Sequence, residues 1–467
     1  MKRQYSKQEA RLNNDVIIGL EVHVQLNTNT KLFCGCPTQG SEEPNTRTCM
    51  VCLGHPGSKP VVNKQVILYA MKIALALGCE LSHAMQFSRK TYFYPDMSKN
   101  YQITQYEIPL GSEGKIVLES GKVVRIKRVH VEEDPAALVH QEGFCLVDYN
   151  RSGIPLVEIV TEPDMNSPAE AREFMKKILA VLKYLNVFDS DKCIVKADAN
   201  VSVKRTAFTR VELKNITGFK EIERALTYEI KRQEQHEVVR ETRAWDAVAG
   251  LTKSMRSKEF EEDYGYIIDP DLVTIELSDA AVQEVKATIP ELGIAKAERF
   301  VREYGIDKDD AKVLSMELEL AGLFEHLAEK TNPVLTARWL RRELLRVLNA
   351  KNKDVRDVNE NYLLELLQLL EKKEITDRIG QQLIAELAER DFSPKAFVKE
   401  KGLGRVVDEV TLKGFCEDTV KENEKAVADY REGKKEAFDF LVGKIMAKTK
   451  GTASPEIIRK LLKELLS

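Results

Sequence analysis

The spacing of apolar residues changes once along the chain, at Ile289-Pro290, and no other feature constrains the fold as strongly. From about Asp15 to Ile289, short apolar runs alternate with turn signals such as Gly111-Ser112-Glu113-Gly114, which is typical of strands with some helices. From Ala295 onward, apolar residues recur at helical spacing and strand-like alternation almost disappears. The sequence therefore predicts an α+β fold, in which a large mixed β-sheet precedes an all-α region.

The chain is long enough for several domains, since its 467 residues exceed the roughly 250–300 residues at which single hydrophobic cores stop growing. Within the sheet region, Ser167-Pro168 opens a helix that ends near Leu185, and a second helix covers Phe219–Val239. We predict three domains: a sheet domain shaped as a cradle over residues 1–290, a helical domain over 291–395 and a C-terminal helical tail over 396–467.

Composition excludes several classes of protein. Hydrophobic residues make up 43% and charged residues 31% of the chain, as in a globular protein that folds on its own core. No stretch approaches the ~20 apolar residues that a membrane span requires. The N-terminal residues Met1–Lys7 lack a following apolar segment, so we expect neither a membrane protein nor a secreted one and take the cytoplasm as the default location.

The overall charge of the chain neither supports nor excludes binding of nucleic acid. The formal net charge is −3, so any contact with RNA has to come from a local basic patch. The segment from Lys434 to Ser467 holds eight Lys or Arg against four acidic residues. Composition favours a solvated helix face there, and an RNA-contacting tail is the sharper alternative.

Four of the eight cysteines are clustered. Cys34-Gly35-Cys36 and Cys49-Met50-Val51-Cys52 form two thiol pairs separated by twelve residues, a spacing that can close a tetrahedral zinc site. Because four protein ligands leave no position for a catalytic water, we predict a structural zinc that stabilises this loop. His55 could replace one cysteine, although a histidine in a simple turn is the favoured interpretation.

Four predicted strands are polar on one face and apolar on the other. One such strand alone is ordinarily an exposed sheet face, but four of them indicate faces that converge on one site. Two of the strands place a carboxylate and an imidazole on the same face, through Glu21 with His23 and through His130 with Glu132, and Glu133 and Asp134 follow as the second of these strands ends. The polar faces of the other two strands carry Lys196, Asp198, Asn200 and Ser202, and Arg210, Glu212 and Lys214.

Convergence of these faces predicts a metal. Crowded carboxylates remain ionised only with a divalent cation or a cationic substrate between them. Oxygen-rich ligands with an imidazole suit Mg²⁺ or Mn²⁺ better than zinc, and magnesium in turn implies phosphates. Neither the Gly-x-x-x-x-Gly-Lys-Ser/Thr loop nor the Gly-x-Gly-x-x-Gly pattern occurs, so phosphate binding depends on the metal and on Lys or Arg side chains.

Arg89 and Lys90 are candidates for that cationic part. They stand directly before Tyr92-Phe93-Tyr94, and aromatic residues beside basic ones suit stacking of a base. Core aromatic residues at the end of a strand are an equally good interpretation of Tyr92 and Tyr94.

These motifs resemble those of the B subunits of the aspartyl/glutamyl-tRNA amidotransferases. The likeness continues to Phe440–Met446 and covers essentially the whole chain. An inserted synthetase-like domain, which marks the related archaeal E subunit, has no room between Arg243 and Ile289, so the B type is preferred. Runs that match in order and spacing include Glu21-Val22-His23, Tyr92–Asp96, His130–Asp134, Gly153–Val160, Asp198-Ala199-Asn200, Glu212–Asn215 and Arg240–Arg243.

The resemblance implies a ligase reaction. Glutamate or aspartate mischarged on glutamine or asparagine tRNA is activated by ATP to an acyl phosphate, and ammonia then displaces phosphate to form the amide. Ammonia comes from glutamine hydrolysed in an A subunit, and a small C subunit connects the two. The resemblance further implies that the helical domain and the tail bind the tRNA.

The resemblance also assigns the site residues. By likeness, magnesium and ATP are held by Glu21, His23, Glu132, Glu133, Asp198 and Glu212. Supporting or substrate-binding roles fall to Arg89, Lys90, Tyr92, Tyr94, His130, Asn200 and Lys214. Two rival interpretations are a zinc-stabilised RNA-binding or assembly protein without chemistry of its own, and a free-standing amino-acid amide ligase.

Overall fold

The computed structural model describes residues 15–256, 265–404, 409–449 and 451–466. The chain forms two compact units that divide after Leu292, next to the predicted change of class at Ile289-Pro290. The further division at residue 395 remains a prediction. Some of the segments considered above lie outside the described residues: Met1–Lys7 and, within the tail, residues 405–408, Lys450 and Ser467.

The first unit contains all the described strands. These are β1 (Val16–Gln25), β2 (Glu80–Leu81), β3 (Ala84–Met85), β4 (Ser88–Thr91), β5 (Tyr101–Thr104), β6 (Gly111–Val117), β7 (Val123–Glu133), β8 (Ala137–Gln141), β9 (Phe144–Asp148), β10 (Pro155–Thr161), β11 (Val195–Val203), β12 (Val211–Thr217), β13 (Glu241–Asp246), β14 (Leu251–Arg256), β15 (Gly265–Ile268) and β16 (Ile275–Glu276). The described helices of this unit are α1 (Lys64–Ala76), α2 (Pro168–Tyr184), α3 (Phe219–Gln235) and α4 (Asp279–Ala287), with a 3-10 turn at Lys204–Thr206.

A nine-stranded mixed sheet organises this unit, in the order β14-β13-β12-β11-β1-β10-β7-β6-β2. The pair β12–β13 is parallel, and β1 pairs antiparallel with β10 on one side and β11 on the other. Ile18, Leu20, Val22 and Val24 of β1 are buried in a core shared with α1, α2 and α3. Because side chains alternate along a strand, the polar residues of β1 lie on the opposite face of the sheet.

Smaller sheets complete the described part of the unit. They are a three-stranded sheet in the order β15-β4-β5, the pair β16-β3 and the hairpin β8-β9.

The two predicted helices are present. Ser167 caps the N-terminus of α2 by accepting a hydrogen bond from the backbone N–H of Glu170. Helix α3 begins at Phe219 as predicted but ends at Gln235, before the predicted Val239. It ends there because His236 takes an extended conformation, with φ −126° and ψ 159°.

The turn predicted at Gly111-Ser112-Glu113-Gly114 is wrong, because these residues begin β6. Glu113 has a φ of 59°, yet the pairing with β7 continues without a shift in register, since Ser112 pairs with Arg128 and Gly114 pairs with Ile126. A Cβ atom on Gly114 would lie 2.5 Å from the sulfur of Cys79. This glycine therefore permits close packing within the core and does not mark a turn.

The second unit is helical throughout its described residues, as predicted. Its helices are α5 (Gly293–Tyr304), α6 (Lys308–Leu314), α7 (Leu318–Ala328), α8 (Pro333–Trp339), α9 (Leu345–Lys351), α10 (Glu360–Glu371), α11 (Asp377–Leu387), α12 (Pro394–Lys401), α13 (Glu409–Glu422), α14 (Glu424–Arg431), α15 (Lys435–Lys448) and α16 (Pro455–Leu466), with a π-helical turn at Leu340–Leu344 and a 3-10 turn at Val355–Asp357.

Two separate hydrophobic clusters stabilise the second unit. Buried residues from Phe300 to Val398 form the first, and buried residues from Leu412 to Leu466 form the second. Each cluster is built from the apolar faces of amphipathic helices, which are stable only when these faces pack together. Across the described parts of both units, no helix is long and apolar enough to span a bilayer.

Candidate active site

The polar face of the large sheet lines a cavity of about 960 Å³. Its floor is formed by the neighbouring strands β7, β10, β1, β11 and β12. The antiparallel register places Glu21 opposite Asp198, and His23 opposite Glu158. Side chains of the small sheet β15-β4-β5, including Lys90 and Tyr266, also line the cavity. The structure therefore brings together the polar faces that the sequence indicated.

Two histidines and two glutamates form what we call the imidazole cluster: His23, His130, Glu132 and Glu158. The Nε2 atom of His23 lies 3.6 Å from Glu132 Oε1 and 3.7 Å from Glu158 Oε2. These separations exceed a normal hydrogen bond, but they suit ligands arranged around a cation. His130 Nε2 lies closer, 3.1 Å from Glu158 Oε2. Ligand atoms of His23, Glu132 and Glu158 all lie within 4.8 Å of one another.

The pKa directions in the imidazole cluster indicate a shortage of positive charge. Burial raises the pKa of Glu132, and the neighbouring carboxylate of Glu158 raises it further. Burial would also raise the pKa of Glu158, but His130 and His23 lower it below its ordinary value. Burial would lower the pKa of His23, yet the charges of Glu158 and Glu132 raise it. A divalent cation would supply the missing charge.

Three carboxylates on the adjacent strands form a second group, the carboxylate cluster: Glu21, Asp198 and Glu212. Their ligand atoms lie within 4.8 Å of one another. The ammonium group of Lys214 lies 3.0 Å from Asp198 Oδ2 and 3.2 Å from Glu212 Oε1. Burial raises the pKa of Glu21, and so do the negative charges of Glu158, Glu212 and Asp198. This cluster is therefore only partly neutralised by Lys214.

Asn200 provides an independent test of whether a hard cation fits the carboxylate cluster. Its Nδ2 donates to Glu21 Oε1 over 3.1 Å, which fixes the orientation of the amide. The opposite atom, Oδ1, is buried and has no hydrogen-bond partner among the described residues. Asn200 pairs with Glu212 in the sheet, and a carbonyl oxygen, like a carboxylate, is the type of ligand that Mg²⁺ and Mn²⁺ prefer. The residues present therefore fit such an ion.

Most of the predicted site residues line this cavity, and four do not. Those that line it are Glu21, His23, Lys90, His130, Glu132, Asp198, Asn200, Glu212 and Lys214. Glu133 lies at the end of β7, where its Oε1 accepts a hydrogen bond from the backbone N–H of Ile103 over 2.8 Å and pairs with Lys99.

Arg89, Tyr92 and Tyr94 are the other predicted residues outside the cavity lining. The guanidinium of Arg89 contacts Asp269 and Asp271, each at 2.9 Å, and stacks on the ring of Tyr101. These contacts hold Arg89 within the small sheet. A role for Arg89, Tyr92, Tyr94 or Glu133 in ligand binding stays a prediction.

Glu158 is the main site residue that strand periodicity did not reveal. It lies within Leu156-Val157-Glu158-Ile159-Val160, a run that is apolar apart from this residue. Alternating polar residues could not mark it, because the only other polar residue of β10 is Thr161, at the end of the strand. A single charged residue in an otherwise apolar strand was the available signal, since charges are rarely buried without a partner.

The four clustered cysteines are also close in space. Their Sγ atoms lie within 4.8 Å of one another, and those of Cys49 and Cys52 are 3.9 Å apart. Tetrahedral zinc with Zn–S bonds of about 2.3 Å requires sulfurs roughly 3.8 Å apart. His55 is not part of this group and its side chain is exposed. The sulfur ligands therefore fit zinc without His55.

The charges around the cysteine cluster support a metal thiolate. A hydrogen bond from Cys34 and, to a smaller extent, the charge of Lys31 together lower the pKa of Cys52 to about 5, against the effect of burial. Burial and the contact with Cys49 raise the pKa of Cys36 to about 11. The fully buried ammonium of Lys31 lies 3.8 Å from Cys52 Sγ and 3.2 Å from the carbonyl oxygen of Tyr149.

The first unit is thus a sheet domain with a carboxylate-rich candidate cation site, and it is followed by a helical unit. Residues 16–283 match the family described as the GatB/GatE catalytic domain, and residues 322–466 match the GatB domain. A relative from Carboxydothermus hydrogenoformans, named as the B subunit of the aspartyl/glutamyl-tRNA(Asn/Gln) amidotransferase, is 42% identical over 97% of this chain and 99% of its own length.

Relatives with the same name occur in Brevibacillus brevis and Thermotoga maritima. Each is 43% identical, over 97% and 96% of this chain and over 99% and 98% of the relative, respectively. The chain belongs to the family of B subunits of the aspartyl/glutamyl-tRNA(Asn/Gln) amidotransferases. The family resemblance inferred from the motifs is therefore confirmed.

Proposed function

We propose that this chain is the component of a tRNA-dependent amidotransferase that activates and amidates the side-chain carboxylate of a mischarged aminoacyl-tRNA. The products are Gln-tRNA(Gln) from Glu-tRNA(Gln), Asn-tRNA(Asn) from Asp-tRNA(Asn), or both. The observation that carries this proposal is the pair of oxygen-rich clusters on the floor of one large cavity. Family membership over nearly the whole chain supports it.

The reaction has two steps. An oxygen of the substrate carboxylate attacks the γ-phosphorus of ATP, ADP leaves, and an acyl phosphate forms. The nitrogen of ammonia then attacks the carbonyl carbon, phosphate leaves with the electron pair of the C–O bond, and the nitrogen loses a proton to give the amide. Both steps build negative charge on oxygen, which a site of this kind has to neutralise.

The residues of the cavity divide this task. We assign a magnesium ion to the imidazole cluster, through His23, Glu132 and Glu158, and a second ion or a charged part of the substrate to the carboxylate cluster. A bound Mg²⁺ would neutralise phosphoryl oxygens and orient the phosphate chain. Lys214 and Lys90 bring ammonium groups to the same cavity, where they would bind phosphate or carboxylate oxygens. His130 holds Glu158 in place.

The remaining predictions complete the proposal. Zinc bound by Cys34, Cys36, Cys49 and Cys52 would stabilise the loop that they enclose. A glutaminase A subunit would supply ammonia, a small C subunit would connect the two, and the regions 291–395 and 396–467 would contact the tRNA. Three basic residues of the tail are already paired with acids, since Lys434, Arg459 and Lys448 contact Asp429, Asp439 and Glu422.

Two isosteric substitutions test the catalytic assignment. In a reconstituted complex, Glu132→Gln and Asp198→Asn should each reduce ATP-dependent amidation of Glu-tRNA(Gln), because each removes a negative charge from one cluster. Glu142→Gln, at an exposed position, is the matched control. Unchanged turnover in both cluster variants would instead support an assembly protein without its own chemistry.

Two further assays separate the remaining possibilities. A panel of Glu-tRNA(Gln) and Asp-tRNA(Asn) measures which substrate the complex prefers. An assay fed with ammonia, with and without tRNA, tests for a free-standing amide ligase, which would form amide from free amino acid alone.

A further inference from the structure

The side chain of Gln105 lies at the wall of the cavity with one hydrogen-bonding group satisfied and the other not. It follows β5 and is 1% exposed. Its Oε1 accepts a hydrogen bond from the backbone N–H of Val131 over 2.9 Å. Its Nε2 is buried and has no hydrogen-bond partner among the described residues. Because a backbone N–H can only donate, this contact fixes which end of the amide is oxygen.

Buried amide donors are nearly always paired, and an exception calls for an explanation. Gln102, on β5 itself, follows the rule, because its Nε2 donates to the carbonyl oxygen of Glu133 over 2.8 Å. Gln102 and Gln105 are both buried and both contact the end region of β7. The difference between them is that only Gln105 has a donor that the described protein leaves unused.

The location of Gln105 indicates which group its Nε2 atom would contact, because the residues around it adjoin the imidazole cluster or line the cavity. Val131, which holds its oxygen, stands between His130 and Glu132 of the imidazole cluster. The hydroxyl of Thr104 donates to Glu132 Oε2 over 3.5 Å, so the start of the loop after β5 lies beside the candidate magnesium ligands. Lys90 lines the cavity from the neighbouring strand β4.

We propose that Gln105 is a catalytic residue whose Nε2 donates a hydrogen bond to a non-bridging oxygen of the phosphoryl group that is transferred. This inference rests on the proposed function. A phosphoryl group held beside the imidazole cluster needs donors on its other oxygens, and preorganised donors of this kind stabilise the charge that develops during transfer. A neutral amide held in one orientation provides such a donor beside the acidic side chain of Glu132.

Nucleotide binding by the full-length chain, assembled with the other amidotransferase subunits, tests this assignment. The probes are the magnesium complexes of ADP and of the β,γ-imido analogue of ATP, measured by isothermal titration calorimetry. Gln105→Met should weaken binding of the ATP analogue roughly 10- to 100-fold, the range for a hydrogen bond to a charged group. Binding of ADP, which lacks the γ-phosphoryl group, should change less than about twofold.

Two variants separate binding from folding. Gln105→Glu keeps an oxygen to accept from Val131 but replaces the donor with a second carboxylate oxygen, so it should bind the ATP analogue more weakly than Gln105→Met. Gln102→Met, the matched control, removes a donor that already has a protein partner. It should lower thermal stability and leave the preference for the ATP analogue over ADP unchanged.

The outcomes distinguish a wrong assignment of Gln105 from a wrong proposed function. Normal affinity of Gln105→Met for the ATP analogue, or an equal loss for both nucleotides, overturns the assignment of Gln105 while leaving the proposed function intact. Failure of the wild-type complex to bind either nucleotide overturns the proposed function, and the role of Gln105 with it.

Discussion

The cysteine cluster and the cavity differ in how far apart their residues stand in the sequence. The four thiols all lie between Cys34 and Cys52, whereas the polar floor of the cavity extends from Glu21 on β1 to Glu212 on β12. The spacing of the cysteines is sufficient to predict their site. The cavity exists only because β1 is central in the sheet and pairs with both β10 and β11.

The two regions also differ in how completely the protein satisfies its own groups. The cysteine cluster offers four ligands and the buried ammonium of Lys31 beside them. The lining of the cavity instead keeps five unpartnered buried atoms among the described residues: Asp96 Oδ1, Gln105 Nε2, Arg128 Nε, His130 Nδ1 and Asn200 Oδ1. A closed ligand set suits structural zinc, while unused donors and acceptors suit the binding of a substrate. We infer from this contrast that the cysteine cluster stabilises the fold and the cavity carries out the reaction. The following experiments test whether these two roles are separate.

The largest effect on activity is expected for Glu158→Gln. This change removes one of the two carboxylates of the imidazole cluster and keeps the size of the side chain. Amidation should fall roughly 10²–10³-fold, the range for loss of one electrostatic contributor in an active site. Initial rates with saturating ATP measure it, and zinc content should not change. The exposed Glu142→Gln again serves as control, and a loss of Glu158→Gln activity below tenfold would argue against a cation at this cluster.

Loss of a cysteine should affect stability more than chemistry. Cys49→Ser removes one zinc ligand, so bound zinc should disappear and the melting temperature should fall on the order of 5–10 °C. Amidation at a temperature well below the transition should change much less than in Glu158→Gln. Zinc content by mass spectrometry and thermal unfolding provide the measurements. Cys145→Ser, at a free thiol on β9, is the control.

If Cys49→Ser abolished amidation while the chain remained folded, the separation of the two regions would be wrong. The cysteine cluster would then contribute to the reaction itself.

Lys31→Met is expected to have a smaller effect on the same cluster. Four thiolates around Zn²⁺ leave a net charge of about −2, which the buried ammonium of Lys31 partly offsets. Without it, zinc transfer to a chelator should accelerate about tenfold, in the range for loss of an outer-shell partner. Lys59→Met, at a lysine whose side chain is 76% exposed, is the control. Equal release from Lys31→Met and wild type would show that Lys31 does not stabilise the thiolates.

The smallest effect is expected for Thr242→Val. The hydroxyl of Thr242 donates to Glu212 Oε2 over 3.2 Å and orients this carboxylate. Its loss should reduce amidation about three- to tenfold, as for one hydrogen bond, with little change in the melting temperature. Thr227→Val removes a hydroxyl that bonds only to the backbone of its own helix and should be neutral. Unchanged amidation in Thr242→Val would show that the hydroxyl of Thr242 is not needed to orient Glu212.

The sequence by itself determined the features that depend on neighbouring residues. The four clustered thiols, the polar faces that carry Glu21 with His23 and Asp198 with Asn200, and the change to helices after Ile289-Pro290 were all predicted correctly as patterns. Strand alternation and helical periodicity are local, so they are readable without knowing where the chain goes next.

Only the tertiary structure decided which of these polar faces meet, and which residues from other strands join them. Glu158 lines the cavity because β10 lies between β1 and β7. Thr242 contacts Glu212 because β12 and β13 pair in parallel. Glu133, one residue after Glu132, instead contacts Ile103 of β5 because successive side chains point to opposite faces. Strand order and pairing depend on contacts between residues distant in sequence, and local patterns carry no information about them.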